Sequence, residues 1–442
     1  MRILYFLLKI TLPYSLRIFY PRMKLNNSPK TFLGSTIYVS NHAASFMDPL
    51  AIASLRMPIV FFMTRSDVFT TISKPFLWAC QMLPIYRQQD GDDTKGKNEA
   101  VFQTCKRVLK NGRNLLIFGE GFTDDTFIRR LKPVKKGGVR IGFLTLVDLK
   151  WKKKIYIAGV GCNYSDPNVM RSDLLISTSD RICLNDYREA YEANPNKVIN
   201  ELTKVVEKLM QEQITHVIKK EDAPLHENIM RLTRKGMNSH DFDRAIPLKK
   251  RWRYSQNLAH WLNKQEVEEN ESLSAVKSEA EGYFKLISRF KLEERLIFWK
   301  INNPKGGRMK EILMMVLLLP AAILGIIHCG IPYILISRFV KKSFRRKVFW
   351  GSVKLIFGML AFGLLNIPFI FLFYHFGYPS WWLAFAYYAS IGLLGLSAYM
   401  WVRNLKDFKK KGIVMKTDIS KFISKREALI KNIQAVVPSE FH

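Results

Sequence analysis

Three apolar segments in the last third of the chain constrain its fold more than any other feature. Residues 312–339, 353–374 and 381–402 each reach or exceed the about 20 residues a helix needs to cross the hydrocarbon of a bilayer. The uncharged turn Phe376-Gly377-Tyr378-Pro379-Ser380 joins the last two, which predicts a hairpin of spanning helices with Trp381 and Trp382 at an interface. Segment 312–339 is interrupted by Pro320, Gly325, Gly330 and Pro332. Basic clusters flank the segments: Lys305, Arg308 and Lys310; Lys341, Lys342, Arg345, Arg346 and Lys347; then Arg403, Lys406 and Lys409 to Lys411. The positive-inside tendency asks for all three in the cytoplasm, which 312–339 satisfies only by re-entering as a broken helix. An ordinary kinked span is the alternative, and it strands one cluster on the opposite face. The segments carry His328 and His375 but no acid, which gives little support to a transport role.

Charge narrows the partners. Sixty-nine Lys and Arg stand against 37 Asp and Glu, a formal net charge of +32. Such an excess implies an anionic partner: a phosphorylated substrate, an acidic leaflet or nucleic acid. No RNP-type, KH or helix-turn-helix pattern accompanies the basic runs, so nucleic acid is not expected. Cys80, Cys105, Cys162, Cys183 and Cys329 are scattered and form no C-x-x-C, so neither a disulfide framework nor a zinc site is indicated. A cytosol-facing catalytic region on an integral membrane protein of the cell's inner membrane is the expectation.

Residues 1–29 begin apolar and aromatic with Arg2, Lys9 and Arg17 interspersed, which reads as an amphipathic helix lying in the interface rather than a signal peptide. A packed helix of the following domain is the alternative. Residues 30–219 alternate strand and helix. Strands are expected near 35–40, 59–64, 114–118 and 155–161, another over 173–182, and helices over 97–110 and 195–219. This pattern predicts an α/β domain with a mostly parallel sheet covered by helices. Residues 220–304 are charged and helix-prone and read as an α-helical arm; 305–410 form the transmembrane helical region, and 411–442 a cytoplasmic tail.

Chemistry concentrates in the α/β region. The run Ser40-Asn41-His42-Ala43-Ala44-Ser45-Phe46-Met47-Asp48-Pro49 follows a strand. A carboxylate a few residues beyond an imidazole can accept the hydrogen of one ring nitrogen and free the other to take a proton from a hydroxyl. Three stretches join it: Leu83-Pro84-Ile85-Tyr86-Arg87, Ile117-Phe118-Gly119-Glu120-Gly121-Phe122-Thr123, and Lys135-Lys136-Gly137-Gly138-Val139-Arg140. The last lies within ten basic residues between Arg129 and Lys154, opposed there only by Asp148.

In this order and spacing the blocks resemble the glycerophospholipid acyltransferase family, the PlsC-like or lysophosphatidate acyltransferase superfamily. The resemblance covers roughly residues 30 to 218. It rests on Asn41-His42 with Asp48, on Arg87, on Phe118-Gly119-Glu120-Gly121 and on Ala158-Gly159-Val160. Five residues separate His42 from Asp48, and Pro49 follows. That spacing is similar to the glycerol-3-phosphate or dihydroxyacetone-phosphate acyltransferase branch, as is Leu131-Lys132-Pro133-Val134-Lys135-Lys136-Gly137. Gly119 departs from the family's usual Pro, and the Arg often found after Glu-Gly-Thr is missing.

The resemblance implies His42 as general base and Asp48 as its orienting partner. It implies Asn41, Arg87, Glu120, Gly121, Thr123, Lys135 and Lys136 on the substrate side, with no cofactor and no metal. The expected reaction moves a fatty acyl group from acyl-CoA or acyl-carrier protein to a hydroxyl of glycerol-3-phosphate or a lysophospholipid such as lysophosphatidate, at an anionic membrane surface. A phosphate-free lyso-lipid acceptor such as an acylated amino acid is the alternative; a membrane-anchored polyanion-binding protein is a distant one.

Overall fold

The computed structural model describes residues 2–27, 34–55, 60–71, 73–86 and 94–441, in two compact units. The first unit comprises Met1–Ala223 and Arg244–Lys264, the second Pro224–Asp243 and Gln265–His442.

The first unit runs α1 (Arg2–Phe19), β1 (Arg22–Asn26), β2 (Thr36–Ser40), α2 (Met47–Leu55), β3 (Val60–Arg65), α3 (Ser73–Ala79), β4 (Met82–Ile85), α4 (Thr94–Lys110), β5 (Asn114–Phe118) and α5 (Gly137–Asp148). It continues with β6 (Tyr156–Tyr164), β7 (Asp173–Thr178), β8 (Ile182–Cys183), α6 (Arg188–Ala193) and α7 (Pro195–Glu212). The strands lie in the order β1-β7-β6-β2-β5-β3-β4, with β8 paired to β6. Pairing is parallel except at β6–β7 and β6–β8, so the sheet is mixed but mostly parallel. Strand β2 is buried along its whole length, as a central parallel strand covered on both faces must be. Helix α5 packs against both α4 and α7, and Met210 of α7 joins Ile37, Leu115 and Ile157 of the sheet in one buried core.

Two strands lie outside the expected set, and the single strand expected over 173–182 divides into β7 and β8. Arg22-Met23-Lys24-Leu25-Asn26 alternates polar and apolar residues but falls within the segment 1–29 expected to be an interfacial helix; it pairs with β7, and the Arg22 guanidinium meets the buried Asp173 carboxylate at the same register. Segment β4 is only four residues of half-buried edge. Helix α7 also stops earlier than its pattern predicts. Past Glu212 the backbone is taken up by Asn163, which accepts from Thr215 N–H and donates to the Gln213 carbonyl, and by Arg129, whose carbonyl accepts from Val217 N–H.

The charged stretch 220–304 is divided rather than one arm. Helix α8 (Ala223–Thr233) leads into the second unit, while α9 (Leu248–Leu262) returns to β1 and β7. Arg251 of α9 is 1% exposed and its Nη1 lies 2.8 Å from Asp173 Oδ2, a buried ion pair that composition alone does not reveal. The N-terminal helix α1 packs Tyr5, Leu12 and Leu16 inward and leaves Phe6, Leu7, Ile10 and Tyr14 exposed; Lys9 Nζ donates to the Ala53 carbonyl.

The second unit holds α8, α10 (Glu271–Arg289), α11 (Glu294–Asn302), α12 (Met309–Ser343), α13 (Trp350–Leu365), α14 (Pro368–Leu372), α15 (Trp381–Lys416) and α16 (Ser420–Val436). Three helical stretches, Met309–Ser343, Lys347–Gly377 and Trp381–Lys416, are long and apolar enough to cross a membrane. The break expected in 312–339 is absent: α12 runs unbroken through Pro320 and Pro332. It falls instead at Asn366–Ile367, where α13 ends and Pro368 opens α14.

Helices α12 and α15 are antiparallel neighbours. Glu311 meets Lys411, Trp401 donates to the Met315 carbonyl, Gly325 lies against Leu394, and His328 meets Tyr387. A Cβ on Gly325 would stand 2.0 Å from the Leu394 carbonyl, so only glycine permits this approach. The chain between α12 and α15 therefore leaves from and returns to one end of the pair. It descends along α12, with Phe357 against Phe339 and Asn366 against His328, then returns with Phe373 stacked on Tyr387 and Tyr374 on Trp381. The chain from α12 to α15 thus turns back at Asn366, partway along α12.

Candidate active site

The C-terminal edge of the sheet carries the site. Strands β2 and β5 are parallel neighbours in register, Ser40 beside Phe118, so the chain segments leaving them emerge side by side. His42 leaves β2 and Glu120 leaves β5. The backbone N–H of His42 donates to Glu120 Oε1 at 2.8 Å, and the His42 ring stacks on Phe118 at 4.2 Å between centroids.

His42 Nδ1 lies 3.1 Å from Asp48 Oδ2, which also accepts the Ala44 N–H at 2.9 Å. Asp48 stands in the first turn of α2 and is fully buried, while the His42 side chain is 21% exposed. The carboxylate therefore sits behind the ring and the imidazole reaches the open side. With Nδ1–H donating to Asp48, Nε2 is left as the proton acceptor.

Asn41 does something different from the expected substrate contact. Its Nδ2 donates to the Cys162 carbonyl and its Oδ1 accepts the Cys162 N–H at 2.8 Å, so the amide joins the start of the His42 turn to β6. Glu120 is 3% exposed. Burial pushes its carboxyl above the ordinary range, and the His42 N–H and the Lys132 ammonium oppose that rise. Lys132, itself buried, stands 3.6 Å from Glu120 Oε2 and 3.2 Å from Asp124 Oδ2, with Phe122 under its ammonium.

Gly121 has φ +75°, and its N–H returns to the Phe118 carbonyl in a tight turn. A Cβ there would come within 2.8 Å of Lys135 Nζ, so the Lys135 side chain lies across this glycine. The Lys135 N–H also donates to the Gly119 carbonyl, which brings the start of α5 to the same loop. Lys136 caps α5 and, like Lys135, is exposed; Thr123 is buried in the Glu120 loop. Arg87 lies outside the described residues. Among those described, no group of three or more His, Cys, Asp or Glu could hold a metal ion.

Two participants were not foreseen as site residues. Tyr164, at the end of β6, donates its hydroxyl to Asp48 Oδ1 at 2.9 Å. Lys132 stands out in the sequence only as one residue of the Leu131–Gly137 block and of the basic run around it. The Tyr164 contact spans 116 residues, and nothing in local sequence announces it. The lysine is surrounded by other cations, so its burial against Glu120 is invisible without the fold.

The family model described as Acyltransferase matches residues 23–162. That span holds His42, Asp48, Glu120 and Lys135. Among solved structures, the chain is similar to the crystal structure of the 1-acyl-sn-glycerophosphate (LPA) acyltransferase PlsC from Thermotoga maritima. The identity is 15%, over 46% of this chain and 79% of that one, with a TM-score of 0.32. No curated protein sequence matches the chain.

Proposed function

We propose that this chain, whose residues 23–162 match the acyltransferase family, transfers a fatty acyl group to a hydroxyl of a glycerolipid precursor at a membrane. The observation that carries the reading is the His42–Asp48 pair. An imidazole backed by a buried carboxylate, with its second nitrogen toward the open side, can deprotonate an alcohol. The alkoxide attacks the thioester carbonyl of acyl-CoA or acyl-carrier protein, the thiolate leaves, and His42 returns the proton to it. Because the thioester is already activated, the chain needs no covalent acyl-enzyme.

Acceptor binding follows from charge. Lys135 beside Gly121, Lys136 at the cap of α5 and the N-terminus of that helix, where no capping side chain stands, form a cationic rim suited to a phosphate. No acidic residue stands in the first turn of α5 to compete for them. Glycerol-3-phosphate is the acceptor favoured here, on the five-residue His42–Asp48 spacing and the Asp48-Pro49 pair; lysophosphatidate is the neighbouring choice. The three apolar helical stretches support delivery of product into a bilayer, and the basic clusters beside them are the support for a cytoplasmic site.

The test is an acyl-transfer assay in isolated membranes with glycerol-3-phosphate, lysophosphatidate and a phosphate-free lyso-lipid. A phosphorylated acceptor should be used at least 10-fold better, as the loss of one charge-assisted contact implies. Equal use of the phosphate-free acceptor would overturn the acceptor assignment and leave the transfer chemistry standing.

A further inference from the structure

The Asp48 carboxylate is served from two sides. Oδ2 accepts from His42 and from the Ala44 N–H, both in the same turn, whereas Oδ1 accepts from the Tyr164 hydroxyl, which comes from β6. Asp48 is fully buried, so no bulk solvent reaches either oxygen. The direction of the third bond follows from burial. Tyr164 is 1% exposed, and burial beside Asp48 holds its phenol well above the ordinary value, so it stays protonated and must donate. The ring is fixed from several directions: Tyr20 tilts against it, Phe127 meets it edge-on, and Arg129 donates to its carbonyl.

We infer that Tyr164 is a positioning residue that sets the basicity of His42 through Asp48, and thereby the pH at which the site becomes active. The inference rests on the proposed role of His42 as base. A donor on Oδ1 draws charge from the carboxylate and weakens its hold on a protonated imidazole. Without it, Asp48 keeps more charge to stabilise imidazolium or takes up a proton itself. In both cases the neutral, proton-accepting His42 with an ionised partner appears only at higher pH. The other ionisable groups facing the pair are Glu120, bound to the His42 N–H and offset by Lys132, and the buried Tyr20 and Cys162, whose protons burial and Asp48 hold in place. The Glu120 contacts do not involve the Tyr164 hydroxyl, whereas the Cys162 thiol, protonated at every pH of the assay, also hydrogen-bonds to Tyr164.

The experiment compares wild type with Tyr164→Phe, and with 3,5-difluorotyrosine introduced at position 164 as a more acidic phenol. Two readouts are taken: the pH profile of kcat/KM for acyl transfer, and the pH dependence of His42 acylation by diethylpyrocarbonate, with His42→Gln as the blank. Tyr164→Phe should move both acid limbs to higher pH and lower kcat about 10-fold, as expected for one lost hydrogen bond to a charge. Difluorotyrosine should move both limbs to lower pH, and it keeps the test available if Tyr164→Phe does not fold. Unmoved limbs in a folded variant, even with reduced turnover, would overturn the inference and leave Tyr164 as packing. Shifted diethylpyrocarbonate limbs without any acyl transfer in wild type would uphold the coupling and refute the proposed activity instead.

Discussion

At the scale of single residues, Glu120 shows how a side chain can serve the site without touching the chemistry. It accepts the His42 N–H and faces Lys132, so it fixes both the turn that bears His42 and a buried cation. Glu120→Gln keeps an oxygen for the N–H but removes the charge. We expect kcat to fall about 10–100-fold, the value of a hydrogen bond to a charged group. Steady-state kinetics in membranes checks this, and a rate within 2-fold of wild type would contradict it. A second residue links the site to pH. His216 Nδ1 accepts the Leu131 N–H, beside Lys132, and burial together with Arg130 pushes its pKa down to about 4. The unfolded chain has the ordinary value near 6.5, so it binds this proton first as pH falls. The contribution of neutral His216 to stability is whole above pH 6.5 and is lost progressively toward pH 4. His216→Gln, which still offers an acceptor oxygen, should flatten the fall of the unfolding temperature over that window; an unchanged slope would contradict the assignment.

At the scale of elements, what was legible in sequence is what is local. The run from Ser35 to Phe46 shows a strand ending at a His, and that is how β2 and the His42 turn are built. Segment 22–26 alternates over only five residues directly after an apolar helix, and its place at the sheet edge comes from distant partners, among them an aspartate 151 residues away that meets Arg22. The same logic misled the reading of the apolar helices. Pro320 and Pro332 look like breaks, but a proline costs one backbone bond, which a long helix packed against a neighbour sustains. The real break lies at Asn366, whose side chain donates to the Phe362 and His328 carbonyls while its oxygen meets His328 Nδ1 at 2.8 Å. This carries a prediction about sidedness. If α12 and α15 cross the bilayer, single cysteines at 346 and 379 should label from one side, and cysteines at 305 and 412 from the other. Labelling of 346 and 379 from opposite sides would refute the return of α13–α14.

At the scale of the whole molecule, three observations fit the proposed membrane enzyme: the +32 charge, the helical stretches long and apolar enough to cross a membrane, and the His42–Asp48 pair at the edge of a mostly parallel sheet. The chain passes between its two units three times, at about residues 223, 243 and 264, so neither unit is a contiguous piece of sequence. That is why composition suggested an arm at 220–304 while contacts divide it. The account as a whole depends on His42 acting as a base. It is tested most directly by labelled acyl transfer to glycerol-3-phosphate in membranes, with wild type, His42→Ala and Asp48→Asn matched for the amount of folded protein. The prediction is a fall of about 10²–10⁴-fold for His42→Ala, with a large loss for Asp48→Asn, which disturbs the tautomer. Transfer that persists at the wild-type rate in His42→Ala would contradict it.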